Sequence, residues 1–567
     1  MKALATLAFS LLLLLIHPVE GQHVLQIQPH AQTDAPVVGR YRYQRQQPDS
    51  LAALQEAHLL LQQLYANGYL LARFSSLYQG SDSTLVKIKA GEPYSWVSLN
   101  KGNVEERLLQ QAGYRERFYR QKPFSYQQVA RLMQRLVQQA ENSGYPFAMV
   151  RLDSLQIDDN SIAASLFYDA GPYITFDSLR IEGDVRIKHH FLAAHLGIIP
   201  GTPYSQQRIE EAIQHLEELP YIRLTEAPAL SFQNREARLL LNLRRQPANR
   251  IDGILGMQSK PTGGILLTGQ LDLFLQNPFG SGKTIAVNWQ RLNEESQQLD
   301  LVYRHPYLLN SPVTVVLEGD LLKEQEQFLN RSARVALQAR QKAGLLLSLE
   351  YQFKDTRLLD DARGENLASF RVHKYGVRGE YRKLDNLLLP RQGLVLGAEV
   401  LAGPKHISRM ADGSTDNLGT NLQLTAALNA QSYWPIAART VVAFGATAAL
   451  LYDQNLFLPD LYRLGGLQSI RGFREKSLFA SKYAVLQTEL RQQLGNSSYV
   501  FLFYDQGLLQ YKLPAANYQD WPLGAGAGLS LRAGAGQFNL VYALGHQQNQ
   551  TISLRNSQVH FGYTSRF

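Results

Sequence analysis

The sequence predicts α+β modules followed by an all-β half, a sixteen-stranded antiparallel transmembrane β-barrel. Three observations predict it. Apolar residues recur at helical spacing up to about residue 249, and at strict two-residue alternation from Arg250 onward. Twelve of the 42 glycines lie in residues 1–249 and 30 in residues 250–567, as a turn-rich β half requires. About sixteen alternating segments follow one another there, roughly twenty residues per strand and turn, the dyad repeat of a membrane barrel.

Composition narrows the class before any motif is read. The 567 residues include no cysteine, which excludes disulfide scaffolds, thiolate metal sites, thiol nucleophiles and cysteine-anchored lipids. Mean hydropathy is −0.23, and past the amino terminus no apolar run is long enough for a membrane helix. Charged residues make up 19%, below the usual quarter or so, while Tyr (29) and Phe (23) are plentiful. The formal charge of +9 is spread without a long Lys/Arg cluster, so acidic lipids or partners are expected and nucleic acid is not.

Residues 1–21 read as a cleavable secretory leader rather than an anchor. Lys2 supplies the basic start, Leu4 to Ile16 the apolar stretch, and His17-Pro18 the break. Val19 and Gly21 then stand at −3 and −1 of a cut before Gln22. Export without disulfides fits a Gram-negative envelope.

Between the leader and residue 249 the chain repeats itself. Helical runs recur at Leu51 to Asn67, Tyr126 to Asn142 and Gln206 to Leu219, after the polar residues Ser50, Ser125 and Ser205. Each meets a Tyr-containing break: Gly68-Tyr69, Gly144-Tyr145 and Pro220-Tyr221. Lys122-Pro123-Phe124-Ser125 parallels Thr202-Pro203-Tyr204-Ser205, and Gly91-Glu92-Pro93-Tyr94 parallels Gly171-Pro172-Tyr173. The order in each unit is strand, helix, helix, strand, strand. These units resemble polypeptide-transport-associated (POTRA) domains, at 23–93, 94–173 and 174–246. The resemblance implies sheet edges that pair with client strands.

In residues 250–567, Ile285, Val287 and Trp289 alternate with Ala286, Asn288 and Gln290, and Ala333, Val335 and Leu337 with Arg334, Ala336 and Gln338. One face is apolar and the other polar or small, as a barrel between lipid and a wet lumen requires. The chain ends with Val559, Phe561, Tyr563 and Phe567 on one face, beside Gly562. That ending resembles the signal by which bacterial outer-membrane barrels are recognised, with Ser565 departing from it.

The segment Gly465 to Phe473 lies in a long connection after the eleventh strand. Its Ile470-Arg471-Gly472-Phe473 resembles the signature of the BamA/TamA-type outer-membrane assembly superfamily, the bacterial surface-antigen barrels. The resemblance implies a loop folded back into the barrel, with its Arg engaging acidic groups on the inner wall. Phe503-Tyr504-Asp505 resembles the family's Phe-x-Asp element, on the thirteenth strand. Parity puts Phe503 and Asp505 toward the lumen, with Gln487, Glu489 and Arg491 inside on the twelfth strand. Arg471–Asp505 is therefore the expected pair and Glu489 the second partner. Asn277 to Gly282 resembles the family's Gly-rich hairpin after the second strand, and Pro390-Arg391-Gln392-Gly393 its turn before the ninth.

Other motifs carry nothing. Gly282-Lys283-Thr284 lacks the first glycine of a phosphate loop and precedes a strand. Gly524-Ala525-Gly526-Ala527-Gly528 alternates as a strand in which glycine eases curvature. His189, His190 and His195 have no acidic ligand at suitable spacing. No Gly-x-Ser-x-Gly elbow is present, and no enzyme activity, cofactor or metal is expected.

The resemblance implies a factor at the Gram-negative outer membrane, with its modules in the periplasm. It would insert or translocate unfolded outer-membrane proteins. Expected partners are those clients, outer-membrane lipids or lipopolysaccharide, and periplasmic or inner-membrane accessory proteins. The first and last strands would form a weak lateral seam, with Gly253 and Gly256 beside it. A two-partner secretion transporter is the alternative; a passive porin or structural barrel is the reading from another class.

Overall fold

The computed structural model describes residues 23–259, 265–291, 296–325, 327–341, 344–359, 362–386, 389–413, 418–495, 498–533, 536–548 and 557–566. The leader 1–21 and Phe567 lie outside them. Two compact units divide the chain. One holds Met1–Ser178, Ile199–Glu211 and Leu230–Leu239; the other holds Leu179–Ile198, Ala212–Ala229 and Leu240–Phe567.

In the first unit, a sheet built on His23–Pro29 carries Ser83–Lys89 parallel to it and Arg73–Gln79 at its edge. Helices α1 (Ala35–Val38) and α2 (Ser50–Ala66) belong to this module. Leu60 and Leu64 of α2 pack with Leu25, Val86 and Ile88. The cap of α2 is Asp49, one residue before the expected Ser50. Its Oδ1 accepts the Ala52 amide at 2.7 Å, and a carboxylate also suits the positive end of a helix.

The second module repeats the plan. Ser95–Asn100 runs parallel to Ser161–Asp169, and Met149–Asp158 forms the edge. Helices α3 (Glu106–Ala112) and α4 (Tyr126–Glu141) go with it, and Ser125 caps α4 through the Gln128 amide. Trp96, Leu99, Leu132, Leu136 and Leu166 form its core. Among the described residues each sheet therefore ends on a strand paired on one side, and both carry exposed apolar side chains: Leu77 and Tyr78 on one, Leu155 and Ile157 on the other. A third four-stranded sheet contains Thr175–Gly183, Ile222–Leu224, Ala229–Gln233 and Glu236–Arg245. Helices α5 (His189–Leu196) and α6 (Gln206–Glu217) accompany it.

From Arg250 the chain closes a single antiparallel barrel. Eleven wall strands run in order from Arg250–Ser259 to Thr440–Tyr452, followed by Lys482–Gln493 as the twelfth and Tyr499–Leu513 as the thirteenth. Ala516–Asp520 and Leu523–Ala533 both pair with the thirteenth, one beyond the other, so they are two halves of the fourteenth strand. Gly536–His546 and Gln558–Arg566 complete sixteen. The eighth, ninth and tenth strands reach 17, 18 and 19 residues, more than the roughly ten a tilted strand needs to cross hydrocarbon. No helix among the described residues is long and apolar enough to cross a membrane.

Register confirms the alternation across strands. Val287 pairs with Leu301, and Val335 pairs with Leu317 on one side and Tyr351 on the other. Leu301, Val335, Leu349, Val377 and Leu428 are exposed on the outer face, where hydrocarbon replaces water. Opposite parity carries Arg334, Glu350, Arg378 and Glu399, joined in a lumenal ion-pair network.

Candidate functional site: the lumenal loop and the seam

Parity sends every second side chain of the twelfth and thirteenth strands into the lumen, which is where charges can be hydrated or paired. Glu489 and Asp505 are among them, and the loop carrying Arg471 comes to meet them. The guanidinium Nε donates to Asp505 Oδ2 at 2.8 Å and Nη2 to Oδ1 at 2.6 Å. The Arg471 backbone amide donates to the same Oδ2 at 3.0 Å, so the carboxylate fixes both the side chain and its backbone. Nη1 donates to Glu489 Oε1 at 2.5 Å. The guanidinium carbon lies 3.8 Å from the centre of the Phe503 ring, a cation–π contact on its remaining face. Arg471 is 4% exposed and Asp505 0%, so water does not screen the pair. The expected partners are thus brought together.

The neighbouring motif residues anchor the loop mechanically. Ile470 is fully buried in a cluster with Phe473, Val485 and Leu509. Gly472 has φ +92, and a Cβ there would lie 2.6 Å from the Leu544 carbonyl. Glu489 is itself shared, accepting from Arg491 Nε at 2.7 Å. Gln487, also on the inward face, donates to the Ser469 carbonyl at 2.7 Å.

Sequence reasoning missed the glycines that face this loop. A Cβ on Gly524 would fall 2.0 Å from the Arg471 carbonyl oxygen, and one on Gly545 2.4 Å from that of Gly472. Gly526 and Gly528 lie under the rings of Phe503 and Phe501. The small-residue strand therefore makes room for a loop backbone and two aromatic rings, a correction to its reading as an aid to curvature. The clue was available: Gly507 lies two residues after Asp505, at the same parity, and faces Ile470.

The barrel closes where its first and last strands meet. Among the described residues two residue pairs join them, Arg250 with Arg566 and Ile251 with Ser565, against ten between the first and second strands. A Cβ on Gly253 would sit 2.8 Å from the Gln270 carbonyl, so this glycine serves close approach to the second strand. Gly256 pairs with Thr268 on that same neighbour. On the last strand Phe561 pairs with Leu540, Gly562 with Asn539 and Tyr563 with Phe538. Phe561 is 54% exposed, and its ring meets that of Phe538 edge-on at 4.7 Å.

Both ring nitrogens of His195 have protein partners: Nε2 donates to the His215 carbonyl at 2.9 Å, and Nδ1 accepts from the Tyr307 hydroxyl at 3.0 Å. Among the described residues no group of three or more His, Asp or Glu is placed to hold a metal ion.

A sixteen-stranded barrel preceded by periplasmic sheet modules, with an arginine loop locked inside, is the build of an outer-membrane protein that handles other proteins. Residues 277–567 match the Omp85 superfamily domain, and the chain belongs to that superfamily. No curated protein matches it. Among solved structures it is similar to CdiB from Escherichia coli, at 15% identity over 91% of this chain and 97% of that one, with a TM-score of 0.56. CdiB from Acinetobacter baumannii is similar at 13% identity, 84% and 91% coverage and TM-score 0.55. BamA from Haemophilus ducreyi lacking POTRA domains 1–3 gives 14% identity, 83% and 100% coverage and TM-score 0.45. The protein is one of the Gram-negative outer membrane, with POTRA modules in the periplasm, and its general role is insertion or secretion of proteins there.

Proposed function

We propose that this protein is an assembly factor that inserts other β-barrel proteins into the outer membrane. The observation that supports this reading is the short seam. Among the described residues two residue pairs join the first strand to the last, against ten between the first and second strands and eight between the fifteenth and sixteenth. So short a join is the place in the wall where two strands separate at least loss of pairing, and separated edges are a template for an incoming strand in a medium without water. The edge strands Arg73–Gln79 and Met149–Asp158 would hold client segments by strand addition before they reach the barrel. Arg471, Asp505 and Glu489 would brace the wall during opening. Client folding and burial of apolar surface in lipid supply the driving force.

Depletion followed by outer-membrane proteomics tests the proposal. Several other barrels should fall in abundance together. Accumulation of one large exported protein in the periplasm, with barrel levels unchanged, would overturn it in favour of the secretion reading.

A further inference from the structure

The long connection between the eleventh and twelfth wall strands is pinned a second time, in the stretch before Arg471 and on different strands. The soluble modules join the barrel at the start of its first strand, so connections from odd to even strands, this one included, lie at the outer end. There Lys405, on the ninth strand and 0% exposed, reaches Asp460 Oδ2 at 2.6 Å and Asp453 Oδ2 at 3.1 Å. It also donates to the Asn455 carbonyl at 2.8 Å. The rings of Phe370 and Phe457 flank its ammonium at 4.4 and 5.0 Å. From the tenth strand, Gln423 Nε2 donates to Asp453 at 3.2 Å and to Asp460 at 3.1 Å. Asn330 and Lys354, on the sixth and seventh strands, both donate to the Pro459 carbonyl, at 3.2 and 2.7 Å.

We propose that Lys405 is a positioning residue that holds residues 453–460 across the outer mouth of the lumen, independently of the Arg471 lock. The chemistry favours such a role. An apolar plug would close the mouth without registering the segment, whereas one ammonium between two carboxylates fixes both ends of an eight-residue stretch. Its removal leaves two buried carboxylates facing each other, and their repulsion and desolvation drive the segment outward. The two locks share no residue: Lys405, Gln423, Asn330 and Lys354 serve one, and Asp505, Glu489 and Gln487 the other. This inference does not rest on the insertion reading, because closure of the mouth is measured without any client.

The absence of cysteine makes single-thiol reporters clean. Leu456→Cys reports on the outer segment and Ser469→Cys on the Arg471 end, each labelled with a membrane-impermeant maleimide on intact cells. In full-length chain carrying Lys405→Met, labelling of the first reporter should rise several-fold, and conductance of the reconstituted barrel should rise with it. The second reporter should stay at its parental level. Heat-modifiable migration on gels verifies the barrel. Unchanged labelling and conductance in a heat-modifiable Lys405→Met barrel would overturn the closing role. Equal exposure of both reporters would overturn the independence of the locks. Should Lys405→Met yield no barrel, Asp453→Asn, which keeps the side-chain shape, decides by the same readings.

Discussion

Arg471 offers a planar fork to a carboxylate that is itself sealed from water, and this geometry predicts that neither partner can be exchanged without loss. Asp505 accepts two guanidinium bonds and one backbone amide, while Glu489 takes the third arm. A lysine would supply one point charge and no fork. Arg471→Ala leaves Asp505 buried and unpaired, a change that costs about 3–5 kcal/mol in comparable buried pairs. The barrel should remain heat-modifiable, with a lower urea midpoint and impaired function in cells, and Arg471→Lys should not restore it. Normal activity of the alanine variant would remove the bracing role.

Elements meet with the same economy at the base of the wall. Helix α5 rests on periplasmic turns: Phe191 fills the space above Gly282, where a Cβ would come within 2.1 Å of its ring, and His195 bonds the Tyr307 hydroxyl. An ion pair between Glu218 and Arg340 lies in the same unit. Burial lowers the His195 pKa from 6.5 to about 4, with the nearby Arg340 charge acting in the same direction. The neutral ring is therefore the folded form. Between those values the unfolded segment binds the proton and the folded one does not. The stabilisation is complete above about 6.5 and is lost as pH falls toward 4. Limited proteolysis of Leu179–Ile198 should accelerate over that interval, and His195→Gln should flatten the dependence. A parental profile in the glutamine variant would assign the effect elsewhere.

At the scale of the whole molecule, one sheet of sixteen strands has one weak join. The fourteen strands between them are each paired on both sides, so any opening concentrates where, among the described residues, two residue pairs hold the first strand to the last. Ile251 and Ser565 stand directly opposite across it. A disulfide between Ile251→Cys and Ser565→Cys lies within the Cα separation of paired antiparallel strands. It should block assembly under oxidising conditions, and reductant should restore it. Full activity of the oxidised pair would show that the seam does not open at this point.

The sequence by itself determined the class of each half and the interior lock. Periodicity settles which residues share a face, because the pleat repeats every two residues and the helix every 3.6. Thus parity assigned Asp505 and Glu489 to the lumen, and the resemblance of Ile470-Arg471-Gly472-Phe473 to the family's loop signature assigned Arg471 to them. What parity does not supply is which distant strand stands opposite. The glycines at 524 and 545, the ammonium of Lys405 between Asp453 and Asp460, and the two-pair seam all depend on barrel closure bringing segments tens to hundreds of residues apart together. Alternation along one strand is a local property of the backbone; register, curvature and close approach belong to the closed sheet, and only the tertiary structure decides them.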